Sequence, residues 1–280
     1  MLVVKNIQLL EENVRSWKRE GLTIGFAPTM GALHNGHISL LERAHQECDR
    51  VVCSIFINPT QFNNANDLDS YPVQITADLA ALENADCDLV FLPSKEEMYP
   101  RGEAADPYNL SGLDLVMEGA YRPGHFDGVC TIVHRLFGVV QPSKAFFGQK
   151  DYQQLAVIRQ LTTSLDLQID IVGCPIIREE DGLAMSSRNA LLSKEERSLA
   201  SHIFKIIHAA KELYPKTAIS QTKSWVTAEI SQITKMTVDY VEIAHATTLQ
   251  PLTDKNDPAI LCIAVFLGSV RLIDNILLNK

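Results

Sequence analysis

The sequence predicts an α/β chain, with a parallel-sheet domain over residues 1–176 and a smaller α+β domain over 177–280. Three observations lead there. Short apolar runs alternate with helix-period runs through the first part. That alternation ends after about Cys174. The chain has 280 residues, 46% of them hydrophobic, ample for a substantial core.

Residues 22–27 (LTIGFA) read as a buried strand. From His37 the apolar residues Ile38, Leu41, Ala44 and Cys48 recur on one side of a helix. Residues 50–57 (RVVCSIFI) form a second buried strand, 75–84 a helix and 88–92 (DLVFL) a third strand. Residues 129–140 are helical, and 144–147 (KAFF) make a short strand. A helix over 151–164 has Asp151 placed to cap it, and 168–172 (QIDIV) is another strand. Strand, helix, strand in repetition implies a parallel sheet covered on both faces, with a ligand crevice at the carboxyl ends of its strands. Beyond residue 176 the pattern gives helices over 194–214 and 221–234, then strands over 238–244, 260–267 and 270–277.

A net charge of −9 argues against a nucleic-acid footprint, so a phosphate site must rest on local donors. The opening MLVVKNIQLLEE lacks the basic and apolar regions of a secretion signal. The longest apolar stretch, 259–268, is too short to span a bilayer. Six cysteines without CxxC spacing read as reduced core residues. We therefore expect a cytoplasmic protein with no membrane partner.

Four loops could carry chemistry. HNGH (34–37) lies between a strand and a helix, where free N–H groups and imidazoles suit phosphate. Gly36 there would let a ligand approach the backbone closely. A functionless turn and a metal pair remain open at this point. Asn58 and Gln61 in FINPTQF (56–62) can donate to and accept from a carboxylate or hydroxyl, or simply serve the turn at Pro59. In FGQKDYQQL (147–155), Lys150 at a helix start suits phosphate, although a lone lysine is usually surface. Gln153 and Gln154 follow, one of which could face the crevice. MSSRN (185–189) offers hydroxyls and a guanidinium, while Ser193 and Glu196 already form a capping box for the next helix. Three of these loops follow predicted strands, and that shared geometry favours a common site.

PTMGALHNGH, SIFINPTQF, RPGHFDGV, FGQKDYQQL, DGLAMSSRN and RLIDN together resemble the pantoate–β-alanine ligases, within the wider HxGH nucleotidyltransferase superfamily. The resemblance runs from about residue 1 to 277. It implies a Rossmann-like first domain, a second domain that closes over ATP, and a homodimer. The implied reaction condenses pantoate and β-alanine through a pantoyl adenylate, with ATP and Mg2+ as co-substrate and no tightly bound organic cofactor.

By the same resemblance the ATP contacts are Met30, Gly31, Ala32, Leu33, His34, Asn35, Gly36 and His37, then Gly148, Gln149, Lys150 and Asp151, then Ile177, Met185, Ser186, Ser187 and Arg188. His34, His37 and Lys150 take the catalytic part. Asn58, Gln61, Gln154 and Tyr71 surround pantoate and β-alanine, and Asp78 is expected to help hold magnesium. Gln149 stands where many members have Glu, and Val73 where Arg often follows Tyr-Pro. Competing readings are another HxGH nucleotidyltransferase, a degenerate aminoacyl-tRNA synthetase core and a non-catalytic ATP sensor.

Overall fold

The computed structural model describes residues 1–280 apart from Thr253 and Lys280. Six strands form the first sheet: β1 (Leu2–Val4), β2 (Ile24–Thr29), β3 (Arg50–Ile55), β4 (Leu89–Phe91), β5 (Lys144–Gly148) and β6 (Asp170–Cys174). Their spatial order is β1-β4-β3-β2-β5-β6, and every pairing is parallel. The helices between them are α1 (Ile7–Arg19), α2 (Asn35–Glu47), α3 (Ala65–Asp69), α4 (Ile75–Asn84), α5 (Lys95–Met98), α6 (Met117–Tyr121), α7 (His125–Val140) and α8 (Tyr152–Ser164).

Strand periodicity divides the core between the two faces. Phe26, Val52, Ala145 and Phe147 join one apolar cluster with residues of α1, α7 and α8. Ala27, Val51, Cys53 and Phe146 join another with Leu40, Leu41 and Ala44 of α2 and Leu82 of α4.

The second part holds α9 (Lys194–Ala200), α10 (His202–Leu213), α11 (Ile219–Ser231) and an antiparallel sheet of β7 (Met236–His245), β8 (Ala259–Leu267) and β9 (Val270–Leu277). β8 is covered on both faces. Leu261, Ile263 and Val265 pack with α10 and α11, while Ile260, Cys262 and Ala264 join the core that contains α7 and α8. No described helix is long and apolar enough to cross a membrane. All six cysteines are free, and five are buried.

Several elements differ from expectation for identifiable reasons. β2 runs on through Pro28 because β5 pairs only with Gly25 and Phe26, so the missing N–H costs no bond on that edge. The helix expected over 194–214 is two helices. They meet at buried Ser201, whose hydroxyl turns back to donate to the Ser198 carbonyl. The Ser193–Glu196 capping box forms as read. Asp151 occupies the N-cap position of α8, but its side chain makes no capping bond. β1, α1, α3, α5 and α6 were not anticipated.

Candidate active site

A cavity of about 210 Å³ opens at the carboxyl ends of β2, β3, β5 and β6. It straddles β2 and β5, where the chain's strand order reverses, the usual ligand position in such sheets. Met30, His34, Gly36, His37, Asn58, Gln61, Tyr71, Gly148, Lys150, Asp151, Gln154, Ile177, Met185, Ser186, Ser187 and Arg188 all line it. Gly31, Ala32, Leu33, Asn35, Gln149 and Asp78 do not. The four loops singled out in the sequence thus meet at one cavity.

The histidine turn is built differently from the expected open helix end. His34 is the N-cap of α2, and its Nδ1 accepts from the Gly36 N–H at 3.1 Å. The His37 Nδ1 accepts from the His34 N–H at 3.3 Å. The two imidazoles therefore form a capping box, and the N–H groups of His34 and Gly36 are bonded within the turn. A Cβ on Gly36 would lie 2.8 Å from His34 Cε1. The missing side chain makes room for the imidazole itself, while Gly36 also lines the cavity.

Because Nδ1 accepts in both rings, the proton of each neutral ring sits on Nε2. Burial, then the nearby Lys150 charge, lowers His34 from 6.5 to about 4. Burial, His34 and Lys150 lower His37 to about 3. At neutral pH both are uncharged N–H donors.

Asp78 is also placed unexpectedly. It is 2% exposed, and its two carboxylate oxygens accept from the N–H groups of Ala32 at 2.9 Å and Leu33 at 2.7 Å. Gly31 and Ala32 both have positive φ, 83° and 49°, which turns successive N–H groups towards one anion. The expected metal ligand is thus engaged as the anchor of the turn that leads into His34. No group of three or more His, Cys, Asp or Glu able to hold a metal ion occurs among the described residues. Those residues offer no metal cage of their own.

Asn58 is 1% exposed and fully committed. Its Nδ2 donates to Gln61 Oε1 and to the Gly128 carbonyl, while its Oδ1 accepts from the hydroxyls of Tyr99 and Thr60. Asn58 therefore orients Gln61 instead of presenting its own amide. With Oε1 occupied, Gln61 presents Nε2, which donates to Met30 Sδ at 3.1 Å. The main-chain carbonyl of Gln61 accepts from His125 Nδ1 at 2.8 Å and Arg122 Nη2 at 3.3 Å. Gln153 is buried and bonds the Glu118 N–H and the carbonyls of Leu113 and Val116. Its neighbour Gln154 is the one that reaches the cavity.

Sequence reasoning missed these supports, although RPGHFDGV contains three of them, Arg122, His125 and Gly128. It also missed the apolar wall of Val129, Ile132, Val133 and Leu136, whose helical spacing signalled one face of α7 without saying what that face covers.

The MSSRN segment lies across the histidine turn. Ser187 Oγ donates to the Ala32 carbonyl at 2.9 Å, and Arg188 pairs with Asp67 of α3 at 2.9 Å. The guanidinium also sits 5.7 Å from the centre of the Tyr71 ring.

The cavity lining combines neutral and cationic donors suited to a polyanion with an oriented amide and an apolar wall. Convergent polar groups beside an apolar wall, at the switch point of a parallel sheet, mark a small-molecule site of an α/β enzyme. The particular family follows from the relatives. A pantoate-beta-alanine ligase family model matches residues 2–277, and the chain belongs to that family. It is 47% identical over 278 residues to a pantothenate synthetase of Porphyromonas gingivalis, covering 99% of each chain. It is 46% identical to that of Aeromonas hydrophila, covering 98% of this chain and 97% of the relative. A pantothenate synthetase structure from Thermus thermophilus superposes with a TM-score of 0.93, at 40% identity and 100% coverage of both chains. A Francisella tularensis pantoate-beta-alanine ligase, complexed with beta-gamma ATP and beta-alanine, matches with a TM-score of 0.82 at 34% identity, covering 99% of this chain and 98% of that one.

Proposed function

We propose that this chain joins pantoate to β-alanine in two steps, through a pantoyl adenylate formed from ATP. The observation that carries the reading is the convergence of His34, His37 and Lys150 with Gln61 and Gln154 on one cavity. In the first step a carboxylate oxygen of pantoate bonds to the α-phosphorus of ATP. The bond from that phosphorus to the bridging oxygen breaks, and its electron pair leaves with pyrophosphate. Anion meets anion, so donors already in place must absorb the growing charge. The Nε2–H groups of His34 and His37 and the Lys150 ammonium are suited to that task. Neutral donors help here, since they need not be stripped of a counter-ion first.

Gln61, held by Asn58, Arg122 and His125, would donate from Nε2 to pantoate. The α7 wall suits the methyl groups of its branched skeleton. In the second step the neutral β-alanine amine attacks the acyl carbon, the carbon–oxygen bond to phosphate breaks, AMP departs with the electron pair, and the proton lost from the new amide nitrogen passes to water. Neither step needs an enzyme nucleophile. Magnesium would accompany ATP and lower the charge on its phosphates, held by those phosphates and by water in place of a protein cage.

We also place the division between domains near residue 176. In support, β6 ends at Cys174 and the second apolar cluster begins at Leu183. Family membership supports a homodimer in the cytoplasm, which light scattering of the purified chain and fractionation of its host test.

The deciding experiment follows isotope exchange between pyrophosphate and ATP. The reading expects exchange with pantoate alone, and AMP release at steady state only when β-alanine is added. Absence of exchange without β-alanine would overturn the two-step route.

A further inference from the structure

Strand β9 lies between the two parts of the protein and shows a different set of side chains to each. Leu272 and Ile276 pack into the small-domain cluster, and Ile273 packs against the large one. Its polar residues are fasteners. Arg271 donates to both oxygens of buried Glu118, at 2.8 and 2.9 Å, in the first turn of α6. Asp274 accepts from both terminal nitrogens of Arg178, at 2.7 and 2.9 Å, at the base of the segment that carries Met185 to Arg188.

Asn275 is the third fastener and the one nearest the chemistry. It is 7% exposed, and its backbone is fixed by pairing with Cys262 of β8. Its Nδ2 donates to the Gln149 carbonyl at 3.0 Å and to the Lys150 carbonyl at 2.9 Å. Both carbonyls belong to the short 3₁₀ turn Gln149–Asp151 that joins β5 to α8. That turn has no side-chain cap of its own, and neither does α8. The backbone under Lys150 is therefore held from the other domain. A primary amide suits this, since one nitrogen carries two donors for two successive carbonyls. A carboxylate there would face two carbonyl oxygens with none to offer.

We propose that Asn275 is a positioning residue for adenylation. By fixing the turn beneath Lys150 it sets where the ammonium meets the α-phosphate, so the small domain determines the alignment of a lysine carried by the large one. This rests on the role given to Lys150 above and extends it to a residue that touches no substrate.

The test is a double-mutant cycle with the two half-reactions measured separately. Pyrophosphate exchange reports adenylation, and AMP release from supplied pantoyl adenylate and β-alanine reports the second step. Asn275→Ala is expected to slow exchange about 10- to 100-fold, the scale of a small misplacement of a reacting group. ATP KM and the second step should change by less than about threefold, because bulk binding does not rest on this alignment. In the Lys150→Ala background the same substitution should cost little more, since there is no ammonium left to misplace. Asn275→Gln, which keeps both donors, should recover part of the loss. If Asn275→Ala does not fold, Asn275→Ser, keeping a single donor, enters the cycle in its place.

Equal losses in both half-reactions, or losses that multiply in the double variant, would overturn the proposal and leave a purely structural contact. Intact exchange in Lys150→Ala alone would overturn the lysine's role first. Full exchange in Asn275→Ala beside a defective Lys150→Ala would overturn the positioning while sparing the lysine.

Discussion

Replacing Asp78 by Asn tests what its carboxylate does. The side chain is almost the same size, so packing is preserved. The wild-type oxygens accept two hydrogen bonds, at 2.9 and 2.7 Å, in a site only 2% exposed. An amide can accept one of them; its nitrogen meets the other N–H donor to donor. One charged hydrogen bond is lost and the second loses its charge, which together cost about 2–4 kcal/mol. The positive φ of Ala32 loses the interaction that sustains it, so the turn ahead of His34 should relax. Urea unfolding should show that loss of stability with an unchanged slope. Pyrophosphate exchange should fall and stay low as magnesium is raised. If stability were unchanged and added magnesium restored exchange, the carboxylate would be a metal ligand and the anchoring argument would fail.

Further expectations concern the other walls of the cavity. Lys150→Ala should lose about 10² to 10³ in the rate of pyrophosphate exchange, the scale of one preorganised charge stabiliser; near-normal exchange refutes it. For Gln61→Ala, calorimetry should show weaker pantoate binding with ATP affinity little altered, and the reverse pattern contradicts the assignment of Gln61 to pantoate. The histidines make stability depend on pH. Their folded values, about 4 and about 3, lie below the ordinary 6.5, so the unfolded chain binds more protons in between. Their stabilising contribution is full above about pH 6.5 and is lost as the pH falls through those folded values. Urea unfolding of wild type and His34→Gln between pH 7 and 4.5 should therefore converge as the solution is acidified, and a constant difference would count against it. Asp67→Asn should free Arg188 from its partner and lower the ATP KM; a raised KM would mean the pair is needed to shape the site.

Much of the fold was legible because its strands are apolar runs bounded by turns. Helix 75–84 was read to the residue, as was strand 270–277. β1 was missed because it is an edge strand with two of its three residues exposed, and β2 was cut short by a proline whose harmlessness depends on a neighbouring strand's length. In the site, residue types signalled the chemistry but not who holds whom. Asn58 and Gln61 looked alike in FINPTQF, yet one is buried and spends its amide orienting the other. Nothing local to Asp78 reveals that a turn 46 residues earlier in the chain will wrap its N–H groups around it. The tautomer of each histidine likewise depends on bonds that exist only once α2 has formed.

The doubly covered strand β8 has a consequence for how the chain is made. During synthesis from the amino terminus, all six strands of the parallel sheet are available once Cys174 has emerged. Yet Tyr240, Ala244, Ile260, Cys262 and Ala264, which complete the core beside α7 and α8, come only after α9, α10 and α11. The nascent first half therefore waits with an unfinished apolar face, the condition in which chains associate wrongly and in which chaperones act. Truncation before β7 would make that waiting state permanent.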